Sequence, residues 1–262
     1  MMMSSGAGQG GDVTKPDTPN VDADLIRRHL IFDEFQDSVW GFVIYRCCHA
    51  SDEDWERMLQ KIRSELDYHN TDWYISRDLV PFHNLHPIDD PSLYGASIDQ
   101  VRGHFRSWIP ENIKSRLRPE ATELDDITYK HLVDMTPRYK YCLYVDDVCI
   151  ESLDQDGWGD SDCPVVKILD KTWEPPTPEE IKELEETEGL GVIGDGTTPA
   201  PFIDGLTDDL AEDVGWMYMP VISYLDRYFT LVKVDWHEQY VRPPFIDGFE
   251  DESNFIGHWR NK

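Results

Sequence analysis

Three carboxylates fall within five residues at Asp208, Asp209 and Glu212, directly ahead of the apolar block 215–220 (GWMYMP). On a helix, Asp208 and Glu212 stand four apart and Asp209 and Glu212 three apart, so all three can share one face. Such a group can bind a divalent cation, move a proton, or grip a guanidinium through paired hydrogen bonds. A second acidic group, Asp146 and Asp147 with Glu151, follows the apolar run 139–145. Asp147 and Glu151 are four apart, which returns to the same side in both helix and strand periods. The chain carries 52 acids against 24 bases, a net charge of −28, so a solvated acidic face is the plain alternative for either group.

The elements that must position these groups follow from hydrophobic patterning. Residues 39–45 form a continuous apolar run, as in a strand buried on both faces. Ser51 opens a helix, with Asp54 three residues on in a capping-box arrangement. Trp55, Met58, Leu59, Ile62 and Leu66 then recur at helical spacing, a face expected to pack around Phe42 and Ile44. Residues 70–95 read as a loop rich in proline; His83 and His86 lack a third metal ligand there. A second helix is expected over 97–108, ended by Pro110, and a short one within 112–136. Residues 139–145 and 165–169 read as core strands. Residues 216–224 and 228–236 read as two more, joined by a tight connection at Leu225, Asp226 and Arg227. The order predicts an α+β domain over 25–246. Its sheet is expected to be mostly antiparallel, somewhat ferredoxin-like, with helices on one face. Residues 1–24 and 247–262 read as polar tails, and 172–207 as a mobile acidic insertion.

Composition narrows the function classes. Residues 146–215 hold 21 acids and three bases, so most of the charge excess belongs to one stretch. The net charge argues against general nucleic-acid binding, although a local basic cluster stands at Lys114, Arg116 and Arg118. No apolar run approaches the length of a membrane span. The start lacks the apolar core of a signal peptide, which predicts a cytoplasmic protein. Five cysteines, Cys47, Cys48, Cys142, Cys149 and Cys163, form no CxxC pair and are expected as free thiols. No phosphate-binding glycine loop, Gly-x-Ser-x-Gly elbow or zinc pattern is present.

Four blocks carry a resemblance: 40–46 (WGFVIYR), 138–147 (RYKYCLYVDD), 215–220 (GWMYMP) and 240–244 (YVRPP). They resemble a large group of fungal proteins, one branch of which is the fungal arginine-containing cyclodipeptide synthases, and the chain is read as similar to that branch. The likeness spans roughly residues 35–245 without the acidic insertion. It implies an enzyme of secondary metabolism whose substrates are arginyl-tRNA and a second aminoacyl-tRNA, joined into a cyclic Arg-X dipeptide. It also implies an essential Asp-Asp-x-x-Glu motif. Asp208, Asp209 and Glu212 match that spacing, whereas Asp146-Asp147 with Glu151 has one residue too many.

The chemistry implied is economical. Aminoacyl-tRNA is an activated ester, so no ATP, metal or other cofactor is required. The enzyme must position two esters, deprotonate an attacking amine and stabilise an oxyanion. One carboxylate can act as base and another can hold the arginine guanidinium. Cys142, Cys149 and Ser152 are the candidates for a covalent nucleophile. Two rival readings use the same residues: a metal-dependent carboxylate enzyme, and a non-catalytic binding or scaffold protein with an acidic loop.

Overall fold

In the computed structural model, which describes residues 39–71, 79–121, 123–154, 164–174 and 213–243 with scattered positions outside them, the run at 39–45 becomes strand β1 (Val43–Arg46). Its side chains alternate between two cores. Phe42 and Ile44 enter one, and Val43 and Tyr45 the other. Helix α1 (Asp52–Thr71) follows. Ser51 caps it: its hydroxyl accepts the Asp54 N–H at 3.1 Å and donates to the Asp54 carboxylate at 2.7 Å. Trp55, Met58, Leu59, Ile62 and Leu66 share a core with Phe42 and Ile44, as their spacing predicts.

The chain returns as β2 (His86–Ile88), parallel to β1, then enters α2 (Ile98–Arg116). Ser97 and Gln100 form a full capping box at the start of α2. Val101, Phe105, Ile109 and Ile113 pack with Val43 and Tyr45 on the opposite face of the sheet from α1. Two shorter helices follow, α3 (Asp126–Met135) and α4 (Pro137–Lys140). They lead into β3 (Tyr141–Val145), which lies parallel to β1 on its other side. A one-turn helix α5 (Asp147–Glu151) comes next. Then β4 (Val165–Asp170) pairs antiparallel with β3, and β5 (Trp216–Pro220) antiparallel with β4. Helices α6 (Tyr224–Lys233) and α7 (Trp236–Gln239) follow β5.

The fold is α+β around one five-stranded mixed sheet of order β2-β1-β3-β4-β5. The antiparallel ladders pair four and five positions and the parallel ladders three and four, so antiparallel pairing predominates. Helices cover both faces, which corrects the expectation of one. The reason lies in β1, whose two faces are both apolar and both need cover. The parallel β2-β1-β3 half also departs from a ferredoxin-like arrangement.

Three local expectations are corrected. Residues 228–236 are mostly helix, not strand. Tyr224, Leu225, Tyr228, Phe229 and Leu231 are buried together at helical spacing, and that face outweighs a strand-favouring composition. Pro110 lies inside α2 and does not end it. A proline forfeits the bond to the Arg106 carbonyl, while burial of Ile109 and Ile113 on either side keeps the chain helical. Residues 70–95 contain edge strand β2, where Pro87 is tolerated because an edge leaves one side without a ladder. The expected tails and most of the acidic insertion lie outside the described residues.

Candidate functional site at the carboxyl ends of β1 and β3

From β1 the chain winds one way, through α1 to β2. From β2 it crosses back over the other face, through α2, to β3 on the far side of β1. The winding therefore reverses between β1 and β3. Ligands in open sheets of parallel strands and helices bind outside the carboxyl ends of the strands at such a reversal. The residues there are Arg46 at the end of β1, Cys47, Cys48 and His49 after it, and Asp146 and Asp147 after β3.

Asp147 belongs to the second acidic group. Its Oδ1 accepts the His49 backbone N–H at 2.9 Å, and its Oδ2 lies 3.8 Å from His49 Nδ1. The carboxylate is thereby held across the reversal while its side chain stays 58% exposed, open to a ligand. Glu151 sits one turn further along α5 and is also exposed. Asp208, Asp209 and Glu212, the other acidic group, lie outside the described residues.

Asp146 is spent on structure. Its Oδ1 accepts the Cys149 N–H at 3.1 Å and caps α5, and its Oδ2 accepts from Lys167 Nζ at 2.7 Å. Lys167 is only 2% exposed and stands among the rings of Tyr144, Trp216 and Tyr218, closest to Trp216 at 4.6 Å. Burial pushes the Asp146 carboxyl up, but Lys167 and the Cys149 N–H outweigh it and hold the group below the usual carboxylate range. Asp146 thus fixes the start of α5, and with it the position of Asp147.

A third set converges from β1 and β2. Arg46 donates to Asp52 at 2.7 Å, to Asp89 at 3.1 Å and to the Ala50 carbonyl at 2.6 Å, and lies 4.9 Å above the Tyr94 ring. Tyr94 donates to the other Asp89 oxygen at 2.5 Å. Asp52 is 95% exposed and Asp89 41%. The rim of the reversal is therefore acidic, with its cations Arg46 and Lys167 buried and internally paired. It suits a cationic group such as a guanidinium or an ammonium. The basic cluster Lys114, Arg116 and Arg118 lies at the other end of the sheet. Arg116 bonds Tyr139 ahead of β3, and Arg118 donates to the Phe35 carbonyl ahead of β1.

The thiols offer no activated nucleophile among the described residues. Cys47, Cys48, Cys142 and Cys149 are free and buried, and burial pushes each thiol up. Ser152 is buried too: it donates to the Cys149 carbonyl at 2.5 Å and accepts from the Val165 N–H at 3.0 Å. Among the described residues no group of three His, Cys, Asp or Glu is arranged to hold a metal ion, and no helix is long and apolar enough to cross a membrane.

Sequence reasoning missed Arg46, Asp52, Asp89, Tyr94, His49 and Lys167. Two left a signal. Arg46 ends an apolar strand and Lys167 interrupts one, and a charge within a buried strand implies a partner. No family model, curated protein or solved structure matches the chain.

Proposed function

We propose that this protein is an arginine-containing cyclodipeptide synthase of the cytoplasm that works at the reversal between β1 and β3. The reading rests first on the four sequence blocks. Three of them supply β1, β3 and β5 of one sheet. The observation that carries it is the placement of Asp147, an exposed carboxylate held across the carboxyl ends of β1 and β3 by the His49 N–H.

Asp147 takes one of two roles there. It accepts the proton of the attacking α-amine, or it pairs with the substrate guanidinium. The amine of one aminoacyl ester attacks the ester carbonyl of the other. An amide forms and the first tRNA leaves as an alcohol; a second attack closes the ring and releases the second tRNA. Asp52 and Asp89 extend the acidic rim that favours a cationic side chain over a neutral one. The Lys114–Arg118 cluster lies at the other end of the sheet from this site.

The test is incubation of the purified protein with arginyl-tRNA and a mixture of other aminoacyl-tRNAs, read by mass spectrometry. Arginine-containing diketopiperazines are the expected product. Their absence, with folded protein and intact charged tRNA, overturns the reading.

A further inference from the structure

A cleft of about 360 Å³ opens away from this site, where α2 and α3 meet the chain after β4. That volume is at the small end of the roughly 300–1,000 Å³ range of ligand pockets. Arg106 and Ile109 line it from α2, Tyr129 and Val133 from α3, and Lys171 and Glu174 from the chain after β4. The two cations are held differently. Lys171 is 7% exposed and spends one ammonium proton on the Val133 carbonyl at 2.8 Å. An ammonium has three donors, so two remain. Arg106 is anchored through Nε to the Lys171 carbonyl at 2.7 Å and through Nη2 to the Trp173 carbonyl at 3.1 Å. Its Nη1 is ion-paired with the exposed Glu174 carboxylate at 3.6 Å, outside hydrogen-bond range, so a bound anion competes with Glu174 there. Ile109 and Val133 give apolar wall beside the cations.

We propose that this cleft binds a small carboxylate with an apolar body, its anionic end on Lys171 and Arg106 and its body against Ile109, Val133 and Tyr129. It is a site separate from the β1–β3 reversal and does not rest on the synthase reading. Burial lowers the Lys171 ammonium to about 8. Asp134 from α3 and Asp170 from β4 oppose that, while Lys140 from α4 and Arg106 from α2 add to it. Glu174 also faces the cleft, and burial together with Asp134 raises the Tyr129 hydroxyl. A bound carboxylate favours the charged ammonium, so affinity is present below pH 8 and is lost as pH rises through it.

The experiment titrates the full-length protein with benzoate, using benzyl alcohol and benzylamine as controls, and follows amide shifts by NMR. Benzoate is expected to bind saturably in the millimolar range and about tenfold more tightly than either control, a difference of about 1.4 kcal/mol. The shifts should map to α2, α3 and the chain after β4. Lys171→Met should abolish that preference. Glu174→Gln, on an exposed residue, should tighten benzoate two- to threefold, about 0.5 kcal/mol for one rim charge. Asp147→Asn should leave benzoate binding unchanged. Equal binding of benzyl alcohol, no binding at about 50 mM, or a Lys171→Met variant that keeps the preference overturns the proposal. If Lys171→Met does not fold, an unchanged affinity in Glu174→Gln overturns it.

Discussion

Asp147 accepts the His49 backbone N–H at 2.9 Å and so joins the end of β3 to the end of β1. The two residues are 98 apart in sequence. They meet because the chain crosses over β1 between β2 and β3, which makes β1 and β3 neighbours. The candidate site is therefore a product of topology, and its precision depends on the sheet and on the helices that clamp it.

Trp55 is 5% exposed and packs in the core that α1 shares with Phe42 and Ile44. Trp55→Ala is expected to cost about 3–5 kcal/mol of stability. Chemical denaturation measures it, and an unchanged midpoint contradicts this packing.

The Asp146–Lys167 pair gives a second prediction. Asp146→Asn keeps an oxygen to cap α5 but removes the carboxylate that pairs with the buried Lys167, at a cost of about 3–5 kcal/mol. Replacing both, Asp146→Asn with Lys167→Met, should recover most of that loss. The folded Asp146 carboxyl lies below its ordinary value. Its contribution is present above the usual carboxylate range and is lost as pH falls through the lower folded value. Melting temperature against pH should therefore show a shallower acid limb in the double variant. A double variant no better than Asp146→Asn alone contradicts the pairing.

Burial, aided by Arg138, lowers the His83 imidazole to about 3. Its ring stands against Trp40, and its Nε2 lies 2.8 Å from the Tyr224 hydroxyl. The unfolded imidazole takes a proton near pH 6.5 while the folded one stays neutral. Its contribution is thus full above about pH 6.5 and falls as pH drops towards 3, by at most about 1.4 kcal/mol per pH unit. His83→Gln should flatten the stability profile between pH 6 and 4. An unchanged slope there means that His83 is protonated in the folded protein.

The strands that run fully buried were legible because both faces need apolar cover, as in residues 39–45, 139–145 and 165–169. Helix α1 was legible from its cap and its apolar stripe. Strand β2 was not, since three residues with a central proline carry no strand signal and owe their pairing to β1. Helix α6 was misread because Tyr228, Phe229 and Leu231 suit a strand by composition, and the helical stripe shows only when Tyr224 and Leu225 are counted with them. Asp147 and Glu151 could be singled out by spacing. Their neighbours His49, Asp52, Asp89 and Tyr94 could not, because the order in which strands pair brings them together and no local pattern records that order.

The measurement that tests the central claim most directly is the yield of arginine-containing diketopiperazine from the Asp147→Asn variant, made in a heterologous host beside the wild type. The change is nearly isosteric at an exposed position, so the melting temperature should stay within a degree or two, as for a surface substitution costing about 0.5 kcal/mol or less. Product should fall at least about a hundredfold, as expected when a positioned acid–base group is removed. Asp208→Asn, Asp209→Asn and Glu212→Gln are made in parallel. Product that persists in Asp147→Asn and vanishes in those three contradicts the assignment to the β1–β3 reversal. Product from none of the proteins, wild type included, contradicts the synthase reading itself.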